Sequence, residues 1–501
     1  TLANPPPASL RSVCTVSSII GRSLSLRPAD AWFVKRSVHF SKARTLTVRD
    51  SIVSPGRLGI FHLACWPAIG VVLLAVLIRG AVGWLRMEQL DADVDAYGAL
   101  AETLASRGVF GLVSPTGEVV ASAYRPPLYP VVLSLVAIDS SVNQLAVVIL
   151  HAFLGGLTAL CSYLAVLAWL GKSNGQLAGI VAAIVVIVDP ILVRQSTLLM
   201  TETLATAIAS VVIWWWMAHV SNRFSIVSAI VLGGLLALGF LCRPTFVVWA
   251  FLLVIGLLLA NTPGGVTRRR RVIVAGSTAI CVALVIGAWT YRNLTVLGDP
   301  IWATTHGGYT LLLGNNPHFY RHLRQEGPFR RWDPNDFLNA YAHRFEGDPS
   351  TRSFWFHDWG GAAPRQPEMS SEFSEADDDK LTYDAAAATI QRNPGLFVTS
   401  CLVRVYRLWT PIPYAVEQRA WWQRLAVGTY YTLFYAAALL GLAKTGSRLR
   451  SSIWWPIPAL VLTLTLVHAA YWSNMRMRAP AIPAIAILVG LSLQRKPGVE
   501  R

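Results

Sequence analysis

Charged side chains are scarce in this chain. Only 14% of its 501 residues are Asp, Glu, Lys or Arg, while 54% are hydrophobic. An ordinary soluble domain carries about 25% charged residues. Mean hydropathy is +0.47. These values exclude a soluble enzyme and describe a polytopic membrane protein. Cysteine is also sparse: Cys14, Cys65, Cys161, Cys242, Cys281 and Cys401 are scattered, mostly within apolar runs. No two have metal-ligand spacing and no disulfide framework is visible, so they read as small core or lipid-facing residues. No internal repeat is evident. Away from their ends the apolar runs hold almost no charge, which weighs against an ion-coupled transporter, whose ionisable groups sit near the bilayer midplane. The formal net charge of +16 does not point to nucleic acid. Lysines and arginines cluster in short loops between apolar runs, which is the positive-inside pattern.

Residues 1–57 are rich in Ser, Pro and Arg, with nine basic residues against Asp30 and Asp50. They lack the apolar core of a secretory signal and read as a disordered basic cytoplasmic tail, or as sequence upstream of the true start. Ten spans are predicted: Leu58 to Ile78, Leu145 to Leu170, Gln176 to Val193, Glu202 to Met217, a run ending at Cys242, a run ending at Ala260, Ile273 to Trp289, Leu425 to Leu442, Trp454 to Ala469, and Ala479 to Leu493. Residues 58–292 form an N-terminal transmembrane module, with its first external loop at 79–144. The polar stretch 293–393 is too long and too charged for a linker and reads as a small extracytoplasmic domain. Its Trp332, Trp355, Trp359, Phe329, Phe354 and Phe356 predict a cover over the cleft that helps choose an acceptor, or else a small packed core. Residues 394–424 contain an interfacial helix carrying Arg404 and Arg407, and 425–501 hold the last spans and a basic tail. The expected fold is all-α and polytopic, with about ten transmembrane helices and both termini inside. Lys172, Arg223, Arg268 to Arg271 and the Lys444–Arg450 loop then fall on the cytoplasmic side, while Asp93, Glu202, Arg243 and Arg292 fall on the other.

The stretch that calls for a function is Leu90-Asp91-Ala92-Asp93-Val94-Asp95-Ala96-Tyr97. It places three carboxylates beside a bilayer, where charge is costly. On a helix Asp93 and Tyr97 share a face, and Asp91 and Asp95 share another. On an extended chain all three aspartates point one way. Either arrangement makes an anionic spot suited to a cation, a hydroxyl proton or a donor-rich substrate. The competing reading is a solvated helix N-terminus, favoured by the helix dipole.

Asp93-x-x-x-Tyr97, Ala101-Glu102-Thr103-Leu104, Gly108-Val109-Phe110 and Arg125-Pro126-Pro127-Leu128-Tyr129-Pro130 follow one another in that order. Leu198-Leu199-Met200-Thr201-Glu202-Thr203-Leu204, Arg243-Pro244-Thr245 and Trp289-Thr290-Tyr291-Arg292-Asn293 come next, then Gly307-Gly308 and Gly314-Asn315-Asn316-Pro317. Ile390-Gln391-Arg392-Asn393-Pro394-Gly395-Leu396-Phe397 and Arg407-Leu408-Trp409 close the series. In order and spacing these resemble the GT-C membrane glycosyltransferases, and within them the protein O-mannosyltransferase and aminoarabinose transferase group. The resemblance runs from about Leu58 to Arg407. It implies transfer of a sugar from a polyprenyl-phosphate carrier to an extracytoplasmic acceptor (lipid, glycan or protein), at the plasma (inner) membrane with the site facing outward. Partners would be that donor, an unidentified acceptor and membrane lipid, and no nucleic acid.

The resemblance implies a carboxylate base in the first external loop. Asp93 is preferred, because in the family the carboxylate precedes the Tyr by four positions. Relatives often have a second acid directly after it. Here Val94 stands there and Asp95 comes one later, so the choice between Asp93 and Asp95 stays open. An acceptor hydroxyl needs such a base as it attacks the sugar C1, with inversion. The leaving lipid phosphate needs no acid but does need positive charge. Arg125, Arg243, Arg292, Arg404 and Arg407 are phosphate candidates because guanidinium binds phosphate bidentately. Asp91, Tyr97 and Tyr129 are further substrate-binding candidates. Glu202 either completes a carboxylate pair with Asp93 for a cation or acceptor, or simply charges a helix N-terminus after Thr201. A divalent metal ion is left open as a cofactor. His318 and His322, at i,i+4, make a weak metal pair, and His306, His343 and His357 show no metal spacing. The acidic run Glu375 to Asp379 reads as a solvated surface. The reading of a different class is a transporter or flippase for a polyprenyl-linked lipid.

Overall fold

Backbone amides in hydrocarbon must be satisfied within their own segment, so apolar runs of this length fold as helices. The structure, a computed structural model, describes residues 56–114, 116–221, 224–259, 266–342, 374–413, 420–446, 449 and 451–494, without the side chains of 56–65. The expectations for the 1–55 tail, for Arg223, Arg448 and Arg450, for His343 and His357, and for Phe354, Trp355, Phe356 and Trp359 lie outside the described residues.

The chain opens with α1 (Gly56–Leu85) and a 3₁₀ turn, Met87–Asp91. There follow α2 (Tyr97–Arg107), a two-stranded hairpin of β1 (Gly111–Val113) and β2 (Val119–Ala121), and α3 (Leu128–Ser134). Then come α4 (Gln144–Leu170), α5 (Lys172–Val188), α6 (Pro190–Gln195), α7 (Glu202–Trp215), α8 (Ile226–Cys242), α9 (Phe246–Leu259) and α10 (Arg268–Leu297). The polar segment supplies α11 (Gly307–Gly314), α12 (Pro317–Gln325), α13 (Asn335–Ala342) and α14 (Glu375–Arg392). Last are α15 (Pro394–Trp409), α16 (Trp421–Thr445), α17 (Pro456–Ala470), a 3₁₀ segment Met475–Ala481, and α18 (Ile482–Leu491).

The fold is that of an all-α polytopic membrane protein. Among the described residues five helices are long and apolar enough to cross a membrane: Trp66–Leu85, Gln144–Leu170, Glu202–Val220, Arg268–Leu297 and Trp421–Thr445. α5, α8, α9 and α17 are shorter apolar helices. Helix ends follow local chemistry. Asn143, Ser225 and Thr267 each accept a backbone N–H from the first turn of α4, α8 and α10. The run predicted as one span from Gln176 to Val193 is broken at Asp189-Pro190. The residue before a proline avoids helical backbone, and the proline then opens a new helix, α6. Asp189 is fully buried there; its Oδ1 accepts from the Ile191 and Leu192 amides, and the Tyr431 hydroxyl donates to the carboxylate.

Glycine sets how closely the last helix packs. A Cβ on Gly441 of α16 would lie 1.8 Å from the Leu488 carbonyl oxygen of α18. Backbone contact of this kind replaces side-chain interlocking. A second apolar cluster gathers Leu312, Phe319, Tyr320, Trp332, Phe337 and Leu381 from the polar segment. Trp332 is therefore part of a small core, while Phe329 is exposed with its ring edge-on to Tyr406. Arg404 of α15 is fully buried and donates to the main-chain oxygens of Ala469 and Gly314, tying α15 to α17 and α11.

Candidate active site

The Asp cluster is neither a helix nor an extended strand. After the Met87–Asp91 turn the Asp93 amide donates to the Asp91 carbonyl at 3.0 Å, and the Ala96 amide to the Asp93 carbonyl at 3.2 Å. Short Asp side chains favour such turns over regular structure. Ala96 then takes a left-handed conformation, φ 59° and ψ 25°, which costs a non-glycine residue about 1 kcal/mol. α2 starts only at Tyr97. Asp93 and Tyr97 therefore do not share a helical face; Asp93 lies ahead of the helix. Its Oδ2 accepts the Ala99 amide at 2.9 Å. A Cβ on Gly98 would come within 3.1 Å of that oxygen, so the glycine admits the carboxylate. Oδ1 of Asp93 is buried and has no hydrogen-bond partner. Asp93 thus uses one oxygen on the first turn of α2 and leaves the other without a partner.

A cleft of about 250 Å³ opens beside Asp93 and is lined by Asp91, Glu102 and Gln144, with Leu90 and Leu199. Gln144 donates to Asp91, and Glu102 accepts the Val142 amide. Asp95 faces elsewhere. Arg125 holds it through Nη2 to Oδ1 at 2.7 Å and through Nε to its carbonyl at 2.8 Å. The Arg125 guanidinium lies 4.4 Å from the Tyr124 ring centre and 5.5 Å from that of Tyr97. Burial raises the hydroxyl pKa of Tyr97, with Arg125 pulling the other way. Tyr129 is fully buried against the edge of Tyr97. Its hydroxyl donates to His151 Nε2 at 2.9 Å, because His151 Nδ1 donates to the Ser196 carbonyl.

Glu202, at the start of α7, is 2% exposed. Thr201 makes no side-chain cap, and Glu202 stands in the first turn of α7. Its Oε1 stands 3.6 Å from Arg243 Nη1 and 3.4 Å from Arg476 Nε, and its Oε2 has no hydrogen-bond partner. Arg476 also approaches Asp95 Oδ2 at 3.8 Å. Both arginines are poorly supplied with acceptors. Arg243 Nη2 donates to the Met477 sulfur at 3.1 Å, and Arg476 Nη1 to the Met200 sulfur at 2.9 Å. A thioether is a weak acceptor.

Asp93, Asp95, Tyr97, Arg125, Glu202 and Arg243 thus gather around one region. Arg292 and Arg407 sit apart from these contacts. Arg292 donates to the Ser122 and Phe110 carbonyls, each at 2.9 Å. Arg407 is packed against the rings of Phe319 and Trp472. His318 faces the Phe337 ring, and His322 pairs with Glu326 at 3.6 Å and with the Arg330 carbonyl at 3.2 Å. Burial holds His306 well below the usual histidine range, with Arg125 adding to the effect. Among the described residues no three His, Cys, Asp or Glu side chains are grouped to hold a metal ion.

Sequence reasoning missed Arg476. It lies in a short stretch between two apolar runs with no motif around it. A surplus of charge there, with Arg476 and Arg478 in four residues, was the only signal. It also missed Glu375, taken as part of a solvated acidic run.

No protein-family model and no curated protein matches the chain. Among solved structures it is similar to the oligosaccharyltransferase AglB from Archaeoglobus fulgidus, in complex with an inhibitory peptide and a dolichol-phosphate. Identity is 14%, over 85% of this chain and 50% of that one, with a TM-score of 0.45. The same enzyme tethered with an acceptor peptide gives 14% identity, 85% and 49% coverage, and a TM-score of 0.47. ArnT from Cupriavidus metallidurans, bound to undecaprenyl phosphate, gives 12% identity, 85% and 78% coverage, and a TM-score of 0.36. Both proteins are GT-C membrane glycosyltransferases. The chain spans about half the length of the archaeal enzyme it matches. Likenesses this distant transfer no residue roles.

Proposed function

We propose that this chain is a GT-C-type membrane glycosyltransferase. It moves a sugar from a polyprenyl-phosphate carrier to an acceptor on the extracytoplasmic side of the plasma (inner) membrane, with inversion. The observation that carries this reading is the pair Arg243 and Arg476: their side-chain hydrogen bonds go to thioether sulfurs, and their ion pairs, to a shared Glu202 oxygen and for Arg476 also to Asp95, are all 3.4 Å or longer. A phosphate is the ligand such donors lack. The unpartnered Oδ1 of Asp93 stands at a polar cleft.

Asp93 acts as the base. One oxygen is fixed by the Ala99 amide and the other is free to take the acceptor proton. Asp95 has its charge matched by Arg125 and faces Arg476, which suits a positioning role. The acceptor oxygen attacks C1 as Asp93 removes its proton. The bond from C1 to the phosphate oxygen breaks, and the lipid phosphate leaves with the electron pair. Arg243 and Arg476 meet the charge that develops on it. The cleft beside Asp91 and Glu102 receives the acceptor.

The test is transfer from radiolabelled polyprenyl-phosphate sugars in reconstituted vesicles. Asp93→Asn abolishes transfer with expression and folding intact. Loss in Asp95→Asn with full activity in Asp93→Asn moves the base to Asp95. Label crossing the bilayer with no product formed, in wild type, sinks the transferase reading and leaves a flippase.

A further inference from the structure

The acidic N-terminus of α14 is bound to the first loop rather than facing solvent. Ser374 and Asp377 form a capping box that fixes the start of this helix. Glu375, the next residue, reaches 253 positions back along the chain: its Oε2 accepts the Ser122 hydroxyl at 2.8 Å. Its Oε1 accepts the Ala123 amide at 2.5 Å. The same two residues are gripped from other sides. Arg292 donates to the Ser122 carbonyl, the Thr305 amide donates to the Ala123 carbonyl at 3.0 Å, and the Tyr124 amide donates to Ser122 Oγ at 2.9 Å. Ser122 and Ala123 are buried. Two residues on, Arg125 holds Asp95 by both side chain and carbonyl. Proline at 126 and 127 stiffens the next step of the chain.

We infer that Glu375 is a positioning residue of this site: it ties the polar domain to Ser122 and Ala123 and so fixes where Arg125 holds the Asp93–Asp95 turn. The inference rests on the transferase reading for its catalytic consequence, and on geometry alone for the mechanical one. Glu375 touches no reacting atom. It acts through Ser122, Ala123 and Arg125. Together with the Thr305 amide, this carboxylate joins the segment that carries α14 to the base-bearing turn, and a displacement of α14 is felt at Asp95. A two-point grip of this kind is worth more than either hydrogen bond, since the two oxygens fix direction as well as distance.

Two measurements on the full chain in nanodiscs test this. The first is amide hydrogen exchange. In Glu375→Ala, exchange at Ala123 and across the 93–98 turn rises at least tenfold. A rise confined to residues near 375 overturns the coupling. The second is transfer kinetics with a polyprenyl-phosphate sugar. Glu375→Ala lowers kcat at least tenfold, with the donor KM within threefold of wild type. Glu375→Gln keeps an acceptor for the Ala123 amide and recovers most of the rate. In an Arg125→Ala background the same Glu375→Ala change costs no further rate, because the link is already cut. Additive losses, or Gln falling as far as Ala, overturn the proposal. A wild-type chain inert toward every polyprenyl-linked sugar refutes the transferase reading, and the exchange experiment still decides the coupling.

Discussion

Arg476→Ala separates binding from packing at the centre of the site. Arg476 Nε lies 3.4 Å from Glu202 Oε1 and its side chain is 32% exposed, whereas Glu202 is 2% exposed. At that distance the Coulomb attraction is about 5 kcal/mol at an effective dielectric of 20 and about 1 kcal/mol in water. Exposure of Arg476 and the remaining Arg243 place the loss of stability near the lower end, about 1–2 kcal/mol. The effect on a phosphate ligand is separate. A charge-assisted hydrogen bond contributes about 1.5–3 kcal/mol net, which is roughly 10- to 150-fold in affinity. Arg476→Ala therefore raises the donor KM, and the inhibition constant of polyprenyl phosphate, by that factor. Arg476→Lys keeps the charge, loses the planar fork and falls between. Adding Glu202→Gln to Arg476→Ala does not restore donor binding. The assay is transfer from a radiolabelled donor in nanodiscs, with thermal unfolding on the same samples. A donor KM within twofold of wild type, together with a lowered Tm, refutes the phosphate role and leaves Arg476 as a counter-charge for Glu202.

The polar segment carries its own pH dependence. Burial pushes the Asp379 carboxyl up to about 6, against the Gly308 amide, which pulls it down, and with Asp378 and Glu375 adding a further rise. Its folded value lies above its unfolded one, so the protonated form favours folding; that stabilisation is complete below pH ~4 and is lost as pH rises through about 6. Stability of the α11–α14 segment, followed by hydrogen exchange, falls across this window, and Asp379→Asn flattens the slope; a rising slope rules out the assignment. Gly441→Ala places a Cβ 1.8 Å from the Leu488 carbonyl oxygen, forcing α16 and α18 apart at a cost of about 1–3 kcal/mol. Unchanged thermal stability in that variant shows that the two helices slide freely.

How much of this was legible in the sequence depended on whether the deciding interaction is local. Spans are local: an apolar run satisfies its own amides, so α1, α4, α7, α10 and α16 follow from composition. The polar groups at span ends were legible for the same reason, and Asp93, Glu202 and Arg243 stood out because charge beside hydrocarbon is costly. What each side chain faces is not local. Arg292, Arg243 and Arg476 look alike as residue types. Arg292 meets the Phe110 and Ser122 carbonyls of a hairpin 170 residues or more away in sequence. Arg476, 276 residues from Met200, meets a sulfur instead. The difference between a structural pin and a phosphate candidate therefore lies in the acceptors that the fold brings to the guanidinium. The same holds for Glu375 and Asp377. They are two residues apart in one acidic run; one closes a capping box and the other reaches back to Ser122. Charge density predicted a solvated surface for both. Only the packing of α14 against the first loop separates them.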